Sequence, residues 1–413
     1  MPPVNVRGKA MQDYARLTRS TVGRAVVLSD CKGQIPRGMS PPTQIIAALD
    51  DAAAANDRVV LATVVRITGS SYGGVGTRMV IRSDGSTVGI VSGGCLEADL
   101  AEHARQVRAS GTAKVVSYDT RADDDAAWGL GLGCNGLIDV LLEPLEGSRA
   151  KSVAAMLEHA RNASSPSVLA TVIAAPDAGV GSHMLIASSC MEASGDWPST
   201  ISDAVRKDSV DAFTETRRGM VREYEDYAVA FEVVTPAIRL VVCGSGPDVA
   251  PLVRIATGLG WNITVVDHRS LEHSHPERFP GARVVDCLEP GHLHEAVALA
   301  PNTAAVVMSH HYARDLAYMR ALLSSDVGYI GMLGPRARTE RMLADIAAAG
   351  ESVPRGDRVF SPVGLDIGGD GPDAIALSIV GEVSAVMTGS SAGHLRDQRG
   401  PLHQATDARA RVT

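Results

Sequence analysis

A thiol lies where a predicted strand runs into a predicted helix, in the Ser-Gly-Gly-Cys-Leu-Glu run at residues 92–97. A cysteine in the first turn of a helix gains thiolate character from the helix dipole, and the free amides of the two glycines could hold an anion such as a phosphate. The alternative is structural, with Ser92 capping the helix and Cys95 packing beneath the glycine turn. The candidate cofactor-binding residues of this run are Ser92, Gly93, Gly94, Cys95 and Glu97.

A second cysteine lies in a glycine-rich loop at residues 129–136, directly before another predicted strand. So many glycines in one loop are typical of backbone that approaches a ligand closely, so Gly133 and Cys134 are also candidate cofactor-binding residues. The three aspartates at residues 123–125 could bind a metal ion, but successive carboxylates are more typical of a solvated loop. We therefore predict no metal site.

A strand, a Gly-Ser-Gly turn and a helix follow one another at residues 238–259. Gly244 permits the tight turn, and Gly246 lets the backbone approach a pyrophosphate at the helix N-terminus. Asp267 ends the next predicted strand, where a ribose-binding acid belongs. The third glycine of the usual fingerprint is missing, and Asp248 would repel a bound phosphate. The pattern predicts a Rossmann-type domain, whereas NAD(P) binding remains open, since the glycines could serve the turn alone.

Polar and glycine-rich segments also follow the later predicted strands of this region. His310 ends one strand and Asp315 lies on the next helix, so the two could contact a ligand or handle a proton; a structural role is the alternative. Arg336 and Arg338 could clamp a phosphate with paired hydrogen bonds. The loop glycines that complete this candidate site are Gly334, Gly364 and Gly368. Converging loops of this kind favour a large, anionic, phosphate-bearing ligand.

These motifs lie on two differently patterned regions with a boundary near residues 235–236. From residue 238 onward, strands alternate with helices of 10–15 residues, which predicts a doubly wound parallel sheet. Before it, helices and short strands predict an α/β domain, with residues 190–226 as a polar connection and no internal repeat. We predict a disordered segment or extension at residues 1–41, an N-terminal domain at 42–235, a C-terminal Rossmann-like domain at 236–388, and a tail at 389–413.

Composition excludes several classes of protein. Apolar residues make up 45% of the 413 residues and charged residues 21%, as in soluble globular proteins, and no apolar run reaches bilayer length. The formal net charge of −8, without a basic stripe, disfavours nucleic-acid binding. The six cysteines show neither CxxC pairs nor zinc-ligand spacing. We therefore expect a cytoplasmic protein with reduced thiols.

The motifs belong to a larger set of residues. In the first region they are Arg66, Gly69-Ser70, Gly76, Arg78-Met79, Asp84-Gly85, the 92–97 run and the 129–136 loop. In the second they are Gly244-Ser245-Gly246, Val266–Arg269, Ser309-His310, Asp315, Tyr329–Gly331, Ser361–Gly368, Pro372, Ile375 and Glu382. Over residues 42–388 the set resembles the XdhC/CoxI family, accessory proteins of xanthine dehydrogenase and carbon monoxide dehydrogenase.

The resemblance implies an N-terminal XdhC-type α/β domain, a C-terminal Rossmann-like domain, and a cytoplasmic chaperone that binds molybdenum cofactor (molybdopterin). Such a protein protects the cofactor during sulfuration by a cysteine desulfurase and delivers it to a molybdenum hydroxylase. It need not catalyse a reaction, and we expect a homo-oligomer. The alternative function is an NAD(P)-dependent oxidoreductase. The sequence departs from the family pattern at Tyr72-Gly73, Asn135 and Pro335.

Overall fold

The computed structural model of the chain describes residues 41–69, 71, 73–119, 136–176, 179–187, 190–213, 219–268, 276–351 and 356–397. It divides into two compact units, one spanning Pro41–Thr235 and one beginning at Pro236. The predictions for residues 1–40, for the loop with Gly133 and Cys134, and for residues 398–413 lie outside the described residues. Within the described ranges, no helix is both long and apolar enough to cross a membrane.

The first unit consists of two antiparallel five-stranded sheets with helices. Its first half contains α1 (Pro41–Ala55), β1 (Val59–Gly69), β2 (Arg78–Ile81), β3 (Thr87–Gly89), α2 (Glu97–Ser110), β4 (Lys114–Asp119) and β5 (Gly136–Leu145). Its second half contains α3 (Gly147–Asn162), β6 (Ser167–Ala174), β7 (His183–Ile186), β8 (Met191–Ser194), α4 (Ser202–Ala212), β9 (Met220–Tyr224) and β10 (Tyr227–Val234). The strand orders are β3-β2-β1-β5-β4 and β8-β7-β6-β10-β9.

The two halves are copies of one arrangement, so the prediction of no internal repeat is wrong. Each runs helix, three strands, helix, two strands, with the same strand order in its sheet. The pairing of β1 with β5 skips Val65, and the pairing of β6 with β10 skips Ile173, each the seventh residue of its strand. The two skipped residues contribute to one small hydrophobic cluster. The unit therefore has an internal pseudo-twofold relation.

Two short segments of sequence record this repeat. Leu-Ala-Thr-Val-Val at residues 61–65 corresponds to Leu-Ala-Thr-Val-Ile at 169–173. Gly-Val-Gly-Thr-Arg-Met-Val-Ile at 74–81 corresponds to Gly-Val-Gly-Ser-His-Met-Leu-Ile at 179–186. The helices agree in their buried positions, which are Ile45, Ile46, Ala48, Leu49 and Ala52 in α1 and Val153, Ala154, Met156, Leu157 and Ala160 in α3. The described residues among 190–226 include strands β8 and β9 and helix α4 of the second half, so the interpretation of this partly helical segment as a connection on the flank of the domain is wrong.

Two ion pairs join the halves reciprocally. Arg78 of β2 pairs with Glu232 of β10, with Nη1–Oε1 and Nη2–Oε2 distances of 3.0 and 2.5 Å. His183 of β7 lies 3.0 Å from Glu143 of β5, and its Nδ1 is 3.0 Å from Thr171 Oγ1. The residues opposite these side chains on the neighbouring strands also correspond. In the first half, Thr63 lies opposite Arg78 and Leu61 lies opposite Glu143. In the second half, Thr171 lies opposite His183 and Leu169 lies opposite Glu232. Each half thus supplies one carboxylate to the other.

The second unit is a six-stranded parallel sheet between helices. Its elements are β11 (Arg239–Cys243), α5 (Val249–Gly258), β12 (Asn262–Asp267), β13 (Ala282–Asp286), α6 (Leu293–Ala296), β14 (Thr303–Val307), α7 (Tyr312–Leu323), β15 (Tyr329–Met332), α8 (Arg336–Ala348), β16 (Val359–Phe360) and α9 (Pro372–Thr388). The order β13-β12-β11-β14-β15-β16 is that of a doubly wound Rossmann sheet. The predicted fold class is confirmed.

Successive residues of β11 face opposite sides of this sheet, as strand geometry requires. Leu240 and Val242 belong to a core that contains buried residues of α5 and α9. Val241 and Cys243 belong to a second core with buried residues of α7 and α8. A nearly continuous apolar run is typical of a strand that is buried on both faces. Residues 240–243 of β11, Leu-Val-Val-Cys, form such a run.

Candidate functional site

The strand order of the second unit reverses between β11 and β14, and ligands of doubly wound sheets bind outside the strand ends at such a point. The loops after these two strands lie close together. Gly244 has φ of +133°, and a Cβ there would lie 2.7 Å from the carbonyl oxygen of Met308. No side chain fits between the two loops, so the turn itself requires this glycine.

Asp248 and His310 meet at this point. Asp248 is the residue before α5, and its Oδ2 lies 2.8 Å from His310 Nε2. The His310 side chain is 61% exposed and its backbone has φ of +58°, a left-handed conformation that is uncommon in non-glycine residues. A Cβ at Gly246 would lie 2.4 Å from Asp248 Oδ1. The carboxylate therefore covers the glycine against which a pyrophosphate would pack.

The acid predicted to bind a ribose is enclosed. Asp267 ends β12, as predicted, but it is fully buried. The Ser245 hydroxyl donates to its Oδ2, and His268 Nδ1 lies 3.3 Å from its Oδ1. A ribose hydroxyl would have to displace Ser245 before reaching this carboxylate.

Asp315 is buried and is held by Ser309 and Arg338, so it does not form a proton-handling pair with His310, and its contacts match the structural alternative. Its Oδ1 accepts hydrogen bonds from the hydroxyl and amide of Ser309, at 2.5 and 3.2 Å. Its Oδ2 accepts one from Arg338 Nη2 at 2.6 Å. The imidazole of His310 contacts Asp248 instead. The backbone of His310 is left-handed and lies where the loops after β11 and β14 approach each other.

The remaining predicted residues of this edge lie on separate loops. Arg336 is exposed at the start of α8, whereas Arg338 is held by Asp315, so the two do not form a ready-made phosphate clamp. Gly364 donates its amide to Glu382 at 3.0 Å, which fixes the loop after β16. Gly334 is half-buried and Gly368 is exposed.

The loop at residues 92–97 of the first unit is ordered by its own polar groups. Helix α2 begins at Glu97, so the prediction that the helix opens at Ser92 is wrong. The Glu97 carboxylate accepts hydrogen bonds from the amides of Val91 and Ser92 and from the Ser92 hydroxyl, which in turn accepts one from Leu96. Burial opposes ionisation of Glu97, but the hydrogen bonds from Ser92 prevail and lower its pKa.

Cys95 is exposed and lies two positions before α2 rather than in its first turn. A Cβ at the adjoining Gly94 would meet nothing within 4 Å, so the space beside the thiol is open. Cys243, by contrast, is fully buried, and burial followed by the proximity of Cys287 and Asp315 raises its pKa. Cys95 therefore offers a thiol that a ligand can reach from solvent, whereas the other candidate cysteine, Cys134, lies outside the described residues.

Sequence reasoning missed two buried carboxylates on β5. Asp139 pairs with Arg66 at 2.5 Å, and Glu143 pairs with His183. Asp139 Oδ1 and Glu143 Oε2 are buried and have no hydrogen-bond partner among the described residues. Acids within an otherwise apolar strand were the available signal, because burying a charge is costly unless it is paired.

Comparison with known proteins gives two family matches. Residues 52–119 match the model described as the XdhC and CoxI family, and residues 240–383 match the XdhC Rossmann domain. The chain is 31% identical over 345 residues, 83% of its length and 96% of the relative's, to a protein of Bacillus subtilis named as a probable subunit of xanthine dehydrogenase.

Two further comparisons extend over most of the chain. The chain is 23% identical over 328 residues, 79% of its length and 83% of the relative's, to the molybdenum cofactor insertion chaperone PaoD of Escherichia coli. A crystal structure from Bacillus halodurans, described as a xanthine dehydrogenase, matches with a TM-score of 0.65 and 29% identity, covering 84% of this chain and 96% of that one.

Proposed function

Because the chain belongs to the XdhC and CoxI family, we propose that it is an accessory protein that binds molybdenum cofactor and inserts it into a molybdenum hydroxylase of the xanthine or carbon monoxide dehydrogenase type. The name of PaoD, an insertion chaperone, supports this role, as does the name of the Bacillus subtilis relative. The cofactor is the cargo of the protein, so binding and release are the steps that the chain must perform.

The Asp248–His310 pair is the observation that carries the proposal. The pterin of the cofactor presents N–H donors along one edge, which an outward carboxylate can accept, and its side chain ends in a phosphate. Asp248 supplies that carboxylate, while His310 after β14 and Arg336 at the start of α8 supply exposed donors. Buried polar groups of a ligand require such partners.

The same observation disfavours the alternative of an NAD(P)-dependent oxidoreductase. The usual dinucleotide site needs an open glycine beneath the pyrophosphate and an accessible acid for the ribose. Here the Asp248 carboxylate covers Gly246, and Asp267 is buried against Ser245. A carboxylate at the helix N-terminus repels a second anion. Nicotinamide dinucleotides should therefore bind weakly in this mode.

Cofactor retention tests the proposal. Full-length protein is mixed with molybdenum cofactor released from a molybdenum enzyme, or with NADPH, and the bound fraction is measured by ultrafiltration. We expect the cofactor to be retained and Asp248→Asn to weaken retention at least tenfold, about 1.4 kcal/mol. Asp373→Asn is the matched control, since Asp373 is also an acid near a helix start paired with a cation, Arg254, but it is exposed on α9. Tight NADPH binding without cofactor retention would reverse the assignment.

The proposal extends to sulfuration. The protein holds the cofactor while a cysteine desulfurase installs the sulfido ligand, and Cys95 of the first unit offers an exposed thiol for this step. We expect Cys95→Ser to lower activation of a co-expressed client hydroxylase while leaving the circular dichroism spectrum unchanged. Full activation by this variant would remove Cys95 from the site.

Location and assembly complete the proposal. Cys95, Cys190, Cys243 and Cys287 are free thiols, which agrees with the reducing cytoplasm that we propose. We also propose that residues 42–235 and 236–388 are the two domains and that the protein is a homo-oligomer. Light scattering after size exclusion measures the mass of the assembly, and a mass of one chain would contradict the oligomer.

A further inference from the structure

We propose that His159, Cys190 and Glu192 form a binding site for Zn²⁺ on the surface of the first unit. The three residues come from two elements of its second half: His159 lies on α3, Cys190 directly precedes β8, and Glu192 is the second residue of β8. Nothing in the proposed handling of molybdenum cofactor uses them. The inference therefore stands or falls independently of that function.

The ligand atoms are already clustered. His159 Nε2 lies 4.0 Å from Cys190 Sγ, and His159 Nδ1 lies 2.8 Å from Glu192 Oε1. One atom from each of the three residues lies within 4.8 Å of the other two. Zn–S and Zn–N bonds of about 2.3 and 2.0 Å place two ligands of a tetrahedral ion about 3.5 Å apart. Closing the sulfur–nitrogen gap requires a movement of only about 0.5 Å, within the reach of side-chain rotation.

The donor set selects the ion. A thiolate and an imidazole are soft and borderline donors that favour Zn²⁺ and its neighbours, whereas Mg²⁺ and Ca²⁺ prefer oxygen ligands throughout. Three protein ligands leave the fourth position of a tetrahedral ion to water or to a further group. If His159 binds through Nε2, Glu192 is not a third ligand: its carboxylate stays on Nδ1, in the carboxylate–histidine arrangement that orients metal-binding imidazoles, and two positions of the ion are left to water or further groups.

The scaffold beneath the cluster is held in place. The buried face of α3, including Met156 and Leu157, packs into the core, so His159 projects from the exposed side. Strand β8 pairs with β7, and the hydroxyls of Ser152 and Ser194 meet at 2.9 Å between α3 and β8. Sites built on packed elements hold their ligands more precisely than loops do.

The internal repeat provides a comparison within the same chain. In the first half, helix and strand positions that correspond to the three ligands carry Asp51, Ser86 and Val88. The fold of each half therefore requires neither a thiol nor an imidazole at these places. A His159–Glu192 ion pair alone would be an exposed surface pair of little energetic value. The ligand set is specific to the second half.

Cobalt spectroscopy tests the site. Tag-free full-length protein is treated with a chelator, dialysed and titrated with Co²⁺, which replaces Zn²⁺ and reports a bound thiolate by a near-ultraviolet charge-transfer band. We expect one equivalent to bind, the band to be displaced by Zn²⁺, and Cys190→Ser to abolish the band. His294→Asn is the matched control, because His294 is an exposed histidine beside Glu295 with no cysteine.

Glu192→Gln distinguishes a ligand or orienting group from a bystander, and we expect it to weaken Co²⁺ binding at least tenfold. Circular dichroism verifies that each variant is folded. Absence of the charge-transfer band in the parent protein, or its persistence in Cys190→Ser, would overturn the proposal. So would loss of the band in Cys95→Ser with Cys190 intact, since the thiolate would then be elsewhere.

Discussion

The two reciprocal ion pairs of the first unit should respond unequally to the same substitution. Glu232→Gln and Glu143→Gln remove the carboxylates at matching positions of the two sheets. Glu232→Gln leaves Arg78, 12% exposed, without its counter-charge, and arginine cannot discharge by losing a proton. Glu143→Gln leaves His183, whose imidazole, unlike a guanidinium, has an uncharged form that glutamine can accept a hydrogen bond from.

The magnitudes follow from this difference. Breaking a buried ion pair from one side costs about 3–5 kcal/mol, and the residual exposure of Arg78 favours the lower end, about 3 kcal/mol. For Glu143→Gln the glutamine oxygen can still accept a hydrogen bond from a neutral imidazole, so we expect about 1 kcal/mol. The control is Glu146→Gln, which breaks an exposed pair with Arg58 and should leave the stability of the unit nearly unchanged, because surface ion pairs contribute little.

Because the chain has two units, a single unfolding curve does not isolate the first one. Native-state hydrogen exchange, read by mass spectrometry on peptides from β1, β5, β6 and β10, gives the opening free energy of this unit alone. Equal losses of opening free energy in the two variants, or a larger loss for Glu143→Gln, would refute the idea that the unpaired Arg78 causes the destabilisation by Glu232→Gln.

Three further outcomes are expected. Iodoacetamide should alkylate exposed Cys95 at least tenfold faster than Cys243, whose pKa burial raises, as mass spectrometry of digests would reveal; comparable rates would contradict their placement. Since the pKa of Glu97 is lowered, its stabilisation should be present at pH 7 and should be lost as the pH falls below the ordinary glutamate pKa and through the lowered one. The melting temperatures of the parent and of Glu97→Gln should then converge, and a constant gap would argue against an ionised cap. Gly244→Ala forces a Cβ against Met308 and should destabilise the second unit by about 2–4 kcal/mol in hydrogen exchange of β11, whereas unchanged protection would show that the loops can part.

Sequence patterns predicted the second unit almost completely, because its strands are buried on both faces and its helices alternate with them regularly. The run at Leu240–Cys243 and the glycine turn after it mark the central strand without ambiguity. Among the described strands of this unit, β16, a strand of two residues, was not predicted. Local propensity and tertiary packing agree in this unit, which is the condition under which pattern analysis succeeds.

The first unit was harder because part of its second sheet has weak sequence signals. Strand β8 is mostly exposed, and its four residues, Met-Glu-Ala-Ser, are few and include none of the β-branched or aromatic residues that typically mark a strand. The repeat was missed because the corresponding segments are five and eight residues long and are separated by thirteen positions between their starts in one half and ten in the other. Without the strand pairing, such short similarities do not stand out.

At the candidate site, the sequence identified the loops but not their hydrogen-bond partners. Asp248 and His310 are 62 positions apart, and only the adjacency of β11 and β14 brings them together. Asp315 is nearer in sequence to His310, which made it the more obvious partner, yet Ser309 and Arg338 occupy its carboxylate. The geometry of the loops decides which of several nearby polar groups form hydrogen bonds with one another.

Each half of the first unit supplies one carboxylate to the other, as the two subunits do in an isologous dimer interface, where residue i contacts j and j contacts i. In a true homodimer, a mutation alters both symmetric contacts at once. Here the two halves are joined in one chain, so the two contacts can differ, with Arg78 in one and His183 in the other. Each half can therefore carry side chains of its own while both support the shared core.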